Sequence, residues 1–394
     1  GLGVWLLLAL LAPEAPAPAR TVLEETLGTD APDAAARAAA LLDQAHPDVA
    51  QAVAVWARRV LLTPAFERWA AGLPTAVARG AMPTQAEADA WTAEQTRGLI
   101  GRFPIALRPA TDPRPTAVVL TSALATQIRW SAPFDLADEP LGGAFAQARQ
   151  VLSSRPRHDV YLADTAAAGR VAVHAAWSDG GLRVLSVIAA PDRAAGEVHR
   201  AALEAAGGPG IDLFDVPLGA GHAWTLDETV KRLVSRTDRI ATAHALLPAW
   251  DATTNLDLSD EPWFATVAAT MNQWVTEPDG LEARQSAVAS YDRTGFSAAA
   301  VTAFGAVAAG YRPSSKRDVR KRHLEVRFDR PYAVVAVAEQ PHDRRPDPRL
   351  AHWDGIPVFS AWVASVTRSR EAERARRTQA MKEYSDLENE LGLT

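Results

Sequence analysis

The chain contains no cysteine. That absence removes disulfides, thiolate metal sites and a cysteine nucleophile, and leaves the compartment open. Lysine is scarce: Lys231, Lys316, Lys321 and Lys382 are the only four among 41 basic residues. With the abundant alanine, we read this as the codon bias of a GC-rich genome. Basic excess is missing as well. A net charge of −6 argues against a general nucleic-acid binder, because phosphate binding rests on cations. The apolar run at residues 4–11 has no basic residue before it and is too short to span a bilayer. No membrane partner is expected. The chain opens on Gly1 rather than Met, so an upstream segment is expected.

Catalytic signatures are missing too. The nine histidines are scattered, with none at helix-paired metal spacing and no HExxH. No GxSxG elbow or SxxK motif occurs, and Gly305–Gly310 (GAVAAG) lacks the lysine of a phosphate loop. Acid pairs such as Glu24 and Glu25 read as solvated helix surface. Neither enzyme chemistry nor a cofactor nor a metal is expected.

What remains is an ordinary globular composition, 48% apolar and 22% charged over 394 residues. Helices are predicted over 34–42, 66–73, 84–100 (capping box Thr84 and Glu87), 141–153, 193–206, 226–246 and 263–275. Residues 48–62 read as a helix running into a strand. Strands are predicted over 117–130, 159–162, 170–177, 182–188, 211–216, 283–291, 324–328, 332–338 and 356–363. Residues 312–323 read as a basic, solvated loop. The absence of regular βαβ alternation predicts an α+β fold with large antiparallel sheets. We expect one domain over 1–368 and a charged helical tail over 369–394, with a thin apolar stripe at Met381, Tyr384, Leu387 and Leu391.

One stretch asks for a mechanism. Residues 291–310 (YDRTGFSAAAVTAFGAVAAG) are nearly uncharged beyond Arg293 and rich in small side chains. Such residues bury little apolar area, so they suit a strand that must fit tightly between others. A mobile loop able to enter a sheet is one reading. A small-residue helix or an edge strand is the other.

Several separated segments resemble the serpin family in order. Residues 1–11 with 19–28 resemble its early helix, and DAWTAEQTRGLI (89–100) carries Trp91, Thr96, Gly98 and Ile100 of its Asn-x-Trp-Val…Thr-x-Gly-x-Ile pattern. AVVLTSALATQIRWSAPF (117–134) is similar to its central strand at Ala123, Trp130, Pro133 and Phe134. TGFSAAAVTA (294–303) resembles the hinge pattern Glu-Gly-Thr-x-Ala-Ala-Ala-x-Thr, and 328–338 with 355–363 look like the last two strands. The match runs over 1–368, loosely between 135 and 245, in a divergent bacterial form.

The resemblance implies a fold of three β-sheets with about eight or nine helices and an exposed reactive-centre loop. The family's first helix would precede Gly1. It implies a monomer that inhibits a serine protease: the enzyme cuts the loop, an acyl-enzyme forms, and the loop inserts into the central sheet and drags the enzyme along. The hinge would be Gly295, Phe296, Ser297, Ala298, Ala299, Ala300, Val301 and Thr302. The scissile bond would lie between Ala309 and Gly310, suiting elastase- or subtilisin-like enzymes, or at Arg312, suiting trypsin-like ones. Ser122 and Trp130 would sit where the sheet opens. An extracellular setting is implied, with a cytoplasmic one as the alternative.

This chain departs from the pattern in places. Arg293 and Thr294 replace the acids before the hinge glycine, Phe296 replaces Thr or Ser, Ser122 replaces Asn, and Gly3 replaces Ser. These leave a non-inhibitory serpin-fold binding or carrier protein as the second hypothesis. A polyanion-regulated binding protein using 312–330 is the third.

Overall fold

The structure, a computed structural model, describes residues 1–296, 316–340 and 347–366 except 127, 149, 157 and 279. The helices come first. Helix α1 (Leu2–Leu11) is apolar on all sides and correspondingly buried, with Leu6, Ala9 and Leu11 at the centre of the core. Helices α2 (Ala17–Leu27) and α3 (Ala31–Asp43) pack on it. Gly28 ends α2 in the left-handed conformation at φ 72°, and Asp30 caps α3 by accepting from the Asp33 N–H.

Strand β1 (Val49–Ala57) follows directly, so the helix expected at the start of 48–62 is absent. Val53, Val55 and Ala57 join the main core while Ala54 and Trp56 face the other side, and that alternation wins over helical spacing. Next come α4 (Pro64–Gly72), β2 (Ala78–Ala81) and α5 (Gln85–Gln95). The capping box of α5 forms as the sequence requires, but the helix stops at Gln95. Thr96 turns its hydroxyl to the Thr92 carbonyl, and Arg97 and Gly98 adopt positive φ.

Strands β3 (Val118–Thr126) and β4 (Ile128–Arg129) occupy the segment predicted as a central strand. Residues 141–153 were expected to be helical and are not. Gly142 and Gly143 take φ 81° and 53°, and the backbone of Asp329 packs directly on Gly143. A glycine pair in that conformation ends a helix. The chain instead forms β5 (Asp135–Ala137), a 3₁₀ turn and β6 (Val151–Ser153). Strands β7 (Asp159–Thr165), β8 (Gly169–Trp177) and β9 (Leu182–Ile188) are the antiparallel trio the alternation announces, followed by α6 (Ala195–Gly207).

Residues 211–216 form turns rather than a strand, with Asp212 accepting from the Phe214 N–H. The largest correction lies at 226–246. The helix predicted there is replaced by β11 (Trp224–Val234), preceded by β10 (Gly219–Ala220), and by β12 (Arg239–Pro248). Strand β13 (Trp250–Asp257), helix α7 (Phe264–Asn272), β14 (Arg284–Tyr291) and β15 (Gly295–Phe296) complete the first part. The basic run expected as a loop is strand β16 (Lys316–Arg327), followed by β17 (Tyr332–Ala338) and β18 (Ile356–Val363).

The result is α+β, with seven α-helices among the described residues. A five-stranded antiparallel sheet, β18-β17-β9-β8-β7, is the heart of the molecule. All seven residues of β17 are buried because the sheet is covered on both faces. On one face Val198, Ala201, Ala202 and Ala205 of α6 meet Val173, Leu185 and Val335; on the other, Val184, Val334 and Ala336 join the α1 core. A second sheet runs β10-β11-β16-β12-β6-β5, and three smaller ones are β2-β1-β3, β13-β14 and the short β4-β15 pair. Among the described residues no helix is long and apolar enough to cross a membrane. The tail at 369–394 lies outside the described residues.

Candidate functional site

The sheets β2-β1-β3 and β13-β14 meet at one end, where β4, which follows β3, pairs with β15, which follows β14, and the two sheets define a seam. β1 occupies one edge of β3 through a nine-pair antiparallel ladder, and β13 occupies one edge of β14 through an eight-pair ladder. Among the described residues no ladder joins β3 to β14. Helix α1 backs the β3 edge, and Gly1, just before the helix, lies near β14. A Cβ at Gly3 would lie 2.8 Å from Ser122 Oγ on β3, and one at Gly1 would lie 3.6 Å from Gln285 Nε2 on β14. Two strand edges that carry no ladder partner among the described residues form a receptor for a further strand.

The chain itself begins to fill that place. β14 ends at Tyr291, the chain reverses at Asp292–Thr294, and β15 pairs antiparallel with β4, Gly295 opposite Arg129 and Phe296 opposite Ile128. Asp292 builds the reversal. Its Oδ1 accepts from the N–H of Thr294 (2.8 Å), the hydroxyl of Thr294 (2.9 Å) and the N–H of Gly295 (3.1 Å). Its own N–H donates to the Gly295 carbonyl at 3.0 Å.

The far side of the turn is fastened by Trp130 and Phe134. The Trp130 N–H donates to the Thr294 carbonyl (3.1 Å), its indole N–H to the Asp292 carbonyl (2.9 Å), and the Phe134 N–H to the Arg293 carbonyl (2.9 Å). Arg293 Nε returns a bond to the Phe134 carbonyl at 3.2 Å. Gly295 is required by space: a Cβ there would overlap the Ile128 carbonyl oxygen.

Below the turn lies an aromatic bed. Tyr291 stacks on Trp250 at 5.7 Å and meets Trp130 at 5.1 Å, with Phe134 touching both Trp130 and Tyr291. Burial raises the Tyr291 phenol above its usual range, with a hydrogen bond to Ser186 opposing. Under Phe134 two buried histidines meet. His158 Nε2–H donates to the Ala132 carbonyl at 2.6 Å, which leaves its Nδ1 to accept from His174 Nε2–H at 2.9 Å. Burial pulls both imidazoles below the usual histidine range, and the neighbouring imidazoles add to this at His174.

The described chain resumes at Lys316. There β16 is held on both sides: β11 pairs antiparallel over eleven residues and β12 pairs parallel over eight. β11 and β12 are therefore the two arms of an opened hairpin with β16 laid between them. The three expected sheet-opening and hinge positions Trp130, Gly295 and Phe296 come together at the β4–β15 contact. Ser122 lies farther down β3, opposite Val53 and beside Gly3. Ser297, Ala298, Ala299, Ala300, Val301, Thr302, Ala309, Gly310 and Arg312 lie outside the described residues. The sequence reading missed Asp292, although Asp-Arg-Thr-Gly carries the signal of an Asx turn. It also missed the histidine pair, which no local spacing announces. Among the described residues no three His, Asp or Glu side chains converge as metal ligands.

These features, a seam backed by α1, a chain reversal that starts down it and a return strand in a neighbouring sheet, are those of the serpin fold, and the chain has that fold. It is similar to tengpin, a thermophilic serpin solved in its native state, with a TM-score of 0.58 and 13% identity over 92% of this chain and 87% of that one. It is similar to Serpin48 of the insect Tenebrio molitor, a highly specific serpin (TM-score 0.54, 14% identity, 92% and 90% covered). It is also similar to human thyroxine-binding globulin solved with its hormone (TM-score 0.56, 14% identity, 93% and 90% covered). No protein-family profile and no curated protein matches the chain.

Proposed function

We propose that this chain is a serpin-type inhibitor of serine endopeptidases that traps its target through residues 295–315. The observation that carries the reading is the start of β15 down the seam while β3 and β14 share no ladder among the described residues. The protease serine attacks the carbonyl of Ala309, its oxygen forms an ester there, and the amine of Gly310 leaves with the proton. The freed arm then extends β15 between β3 and β14, and the ester carries the enzyme with it. Water attacking the ester first would release an active protease and a cut chain, so inhibition depends on insertion outrunning hydrolysis. Ala309 suits elastase- or subtilisin-like enzymes; cleavage at Arg312 would make trypsin-like enzymes the targets.

A specific observation supports a second reading, a serpin-fold binding or carrier protein. Arg293, which stands where an acid is expected, ties the turn to Phe134 through both its main-chain carbonyl and its guanidinium. A pinned turn slows insertion and favours clean cleavage. Incubation with elastase, subtilisin and trypsin separates the two. An SDS-resistant complex is expected for an inhibitor, and cleavage within 297–315 by every enzyme without complex would refute inhibition. A rise in melting temperature after the cut tests insertion alone.

A further inference from the structure

We propose that the ribbon made by the outer ends of β11, β16 and β12 is a docking surface for an acidic patch on the protease that engages the segment 297–315; this rests on the inhibitor reading above. Residues 229–239 and 316–323 carry nine Lys or Arg against two Asp, in a chain whose net charge is −6. The positive charge is thus gathered on one ribbon. The register presses like charges together: Arg239 lies directly opposite Arg320. Both guanidiniums, with that of Arg322, surround a single ring, Phe214, at 5.3, 5.5 and 4.9 Å.

Only Arg322 of the three has a carboxylate partner among the described residues, Glu228 at 2.8 Å. Like charges directly opposite each other in a sheet are destabilising. A partner that brings carboxylates relieves the repulsion, which the free chain leaves to solvent.

Apolar groups stand among the cations. Val230 is 62% exposed opposite Arg320, Val234 47% exposed opposite Lys316, and Leu233 37% exposed opposite Arg317. A hydrated polyanion gains nothing from those side chains. A protein surface that combines acids with apolar groups gains from both. Position points the same way. Lys316 follows Gly310 by six residues, a span of about 22 Å at most. An enzyme holding the Ala309–Gly310 bond in its cleft is therefore brought against the ribbon. The cations would steer an acidic enzyme to the segment, a rate effect that salt removes.

The test uses the full chain and a matched enzyme pair: subtilisin with an acidic surface and subtilisin whose surface acids, remote from its cleft, are changed to Lys. Anionic and cationic trypsin serve as a second pair for Arg312. The readout is the second-order rate at which the intact chain is consumed at low and high salt, with complex and cut chain both counted. The acidic enzyme of each pair should be faster by about tenfold or more at low salt. The preference should vanish at high salt and in a Lys231→Gln/Arg232→Gln/Lys316→Gln/Lys321→Gln variant checked for unchanged circular dichroism and melting. Equal rates for both enzymes, or a preference that survives the variant, overturns the proposal; no folding question enters the first comparison, because only the enzyme is altered. Equal rates together with retention on heparin that the variant abolishes would assign the ribbon to a polyanion instead. Consumption without any complex would sink the inhibitor reading and still decide the ribbon. A segment that none of these enzymes cuts would sink both.

Discussion

A methyl group on Gly295 should keep the chain out of the seam. The added Cβ would overlap the Ile128 carbonyl oxygen and lie 3.2 Å from its carbonyl carbon and 3.3 Å from Arg129 Cα. All three are backbone atoms within a ladder, so no rotamer relieves the clash and β15 must lift from β4. Lifting breaks the Trp130 N–H bond to the Thr294 carbonyl and the Asp292 N–H bond to the Gly295 carbonyl. At about 0.5–1.5 kcal/mol net for each, the start of insertion loses about 1–3 kcal/mol. With a factor of ten for every ~1.4 kcal/mol, insertion after cleavage should slow roughly 5- to 150-fold.

The assay cuts Gly295→Ala within 297–315 and follows the gain in thermal stability with time, alongside the partition between trapped complex and cut chain. Gly28→Ala is the control. Gly28 caps α2 at φ 72° with open space around it, so its replacement strains a helix end by about 1 kcal/mol without touching the seam. It should lower the stability of the uncut protein and leave insertion unchanged. Insertion of Gly295→Ala at the wild-type rate would refute the steric reasoning, because the added atom has nowhere else to go.

Three further outcomes are expected. Phe296→Thr should shift the partition toward complex by roughly 5- to 150-fold if the phenylalanine over-packs the inserted strand by about 1–3 kcal/mol; unchanged stoichiometry with the target protease would clear it. Thr229→Pro, at the middle of β11 opposite Lys321, should loosen one side of β16. Uncut protein would then convert on warming to a more stable, non-complexing form, roughly tenfold faster for each 1.4 kcal/mol of ladder lost; wild-type conversion rates would show that the two-sided ladder does not hold the segment. His158 and His174 are held neutral by burial, so below pH ~6.5 the unfolded state binds more protons than the native one. Stability should be full above that pH and fall with acidification by up to about 1.4 kcal/mol per pH unit for each histidine. His174→Gln should flatten this slope in urea melts between pH 6.5 and 5, and identical slopes would remove the pair from the acid response.

Where a residue's partner is near in sequence, the fold was readable. The capping box of α5, the β7–β8–β9 meander with its Gly169 and Gly180–Gly181 turns, and the apolar alternation of β17 and β18 each carry their signal within about a dozen residues. Residues 226–246 failed because Asp227 and Glu228 resemble a helix N-terminus. Their actual partner, β16, lies some ninety residues on in register, and no local rule reports a strand laid between two others. The same pairing turned the basic run into a strand. In 141–153, by contrast, the Gly142–Gly143 pair was a legible stop, and the apolar count around it outweighed the conformational signal.

The turn into β15 shows the difference between a local and a contextual requirement. Gly295 and Gly3 are both glycines where a side chain would meet its neighbour, yet the neighbours differ in kind. At Gly295 the obstacle is a β4 carbonyl, fixed by the ladder, so glycine is demanded by the pairing itself. At Gly3 the obstacle is Ser122 Oγ at 2.8 Å, a rotatable hydroxyl. The two departures at residues 3 and 122, separate in the sequence, are thus a single contact between α1 and β3. Small side chains on both sides bring the helix close behind one edge of the seam, and either substitution has a meaning only with the other. It follows that the back of the seam tolerates repacking by paired changes, whereas the point where the chain turns into it does not.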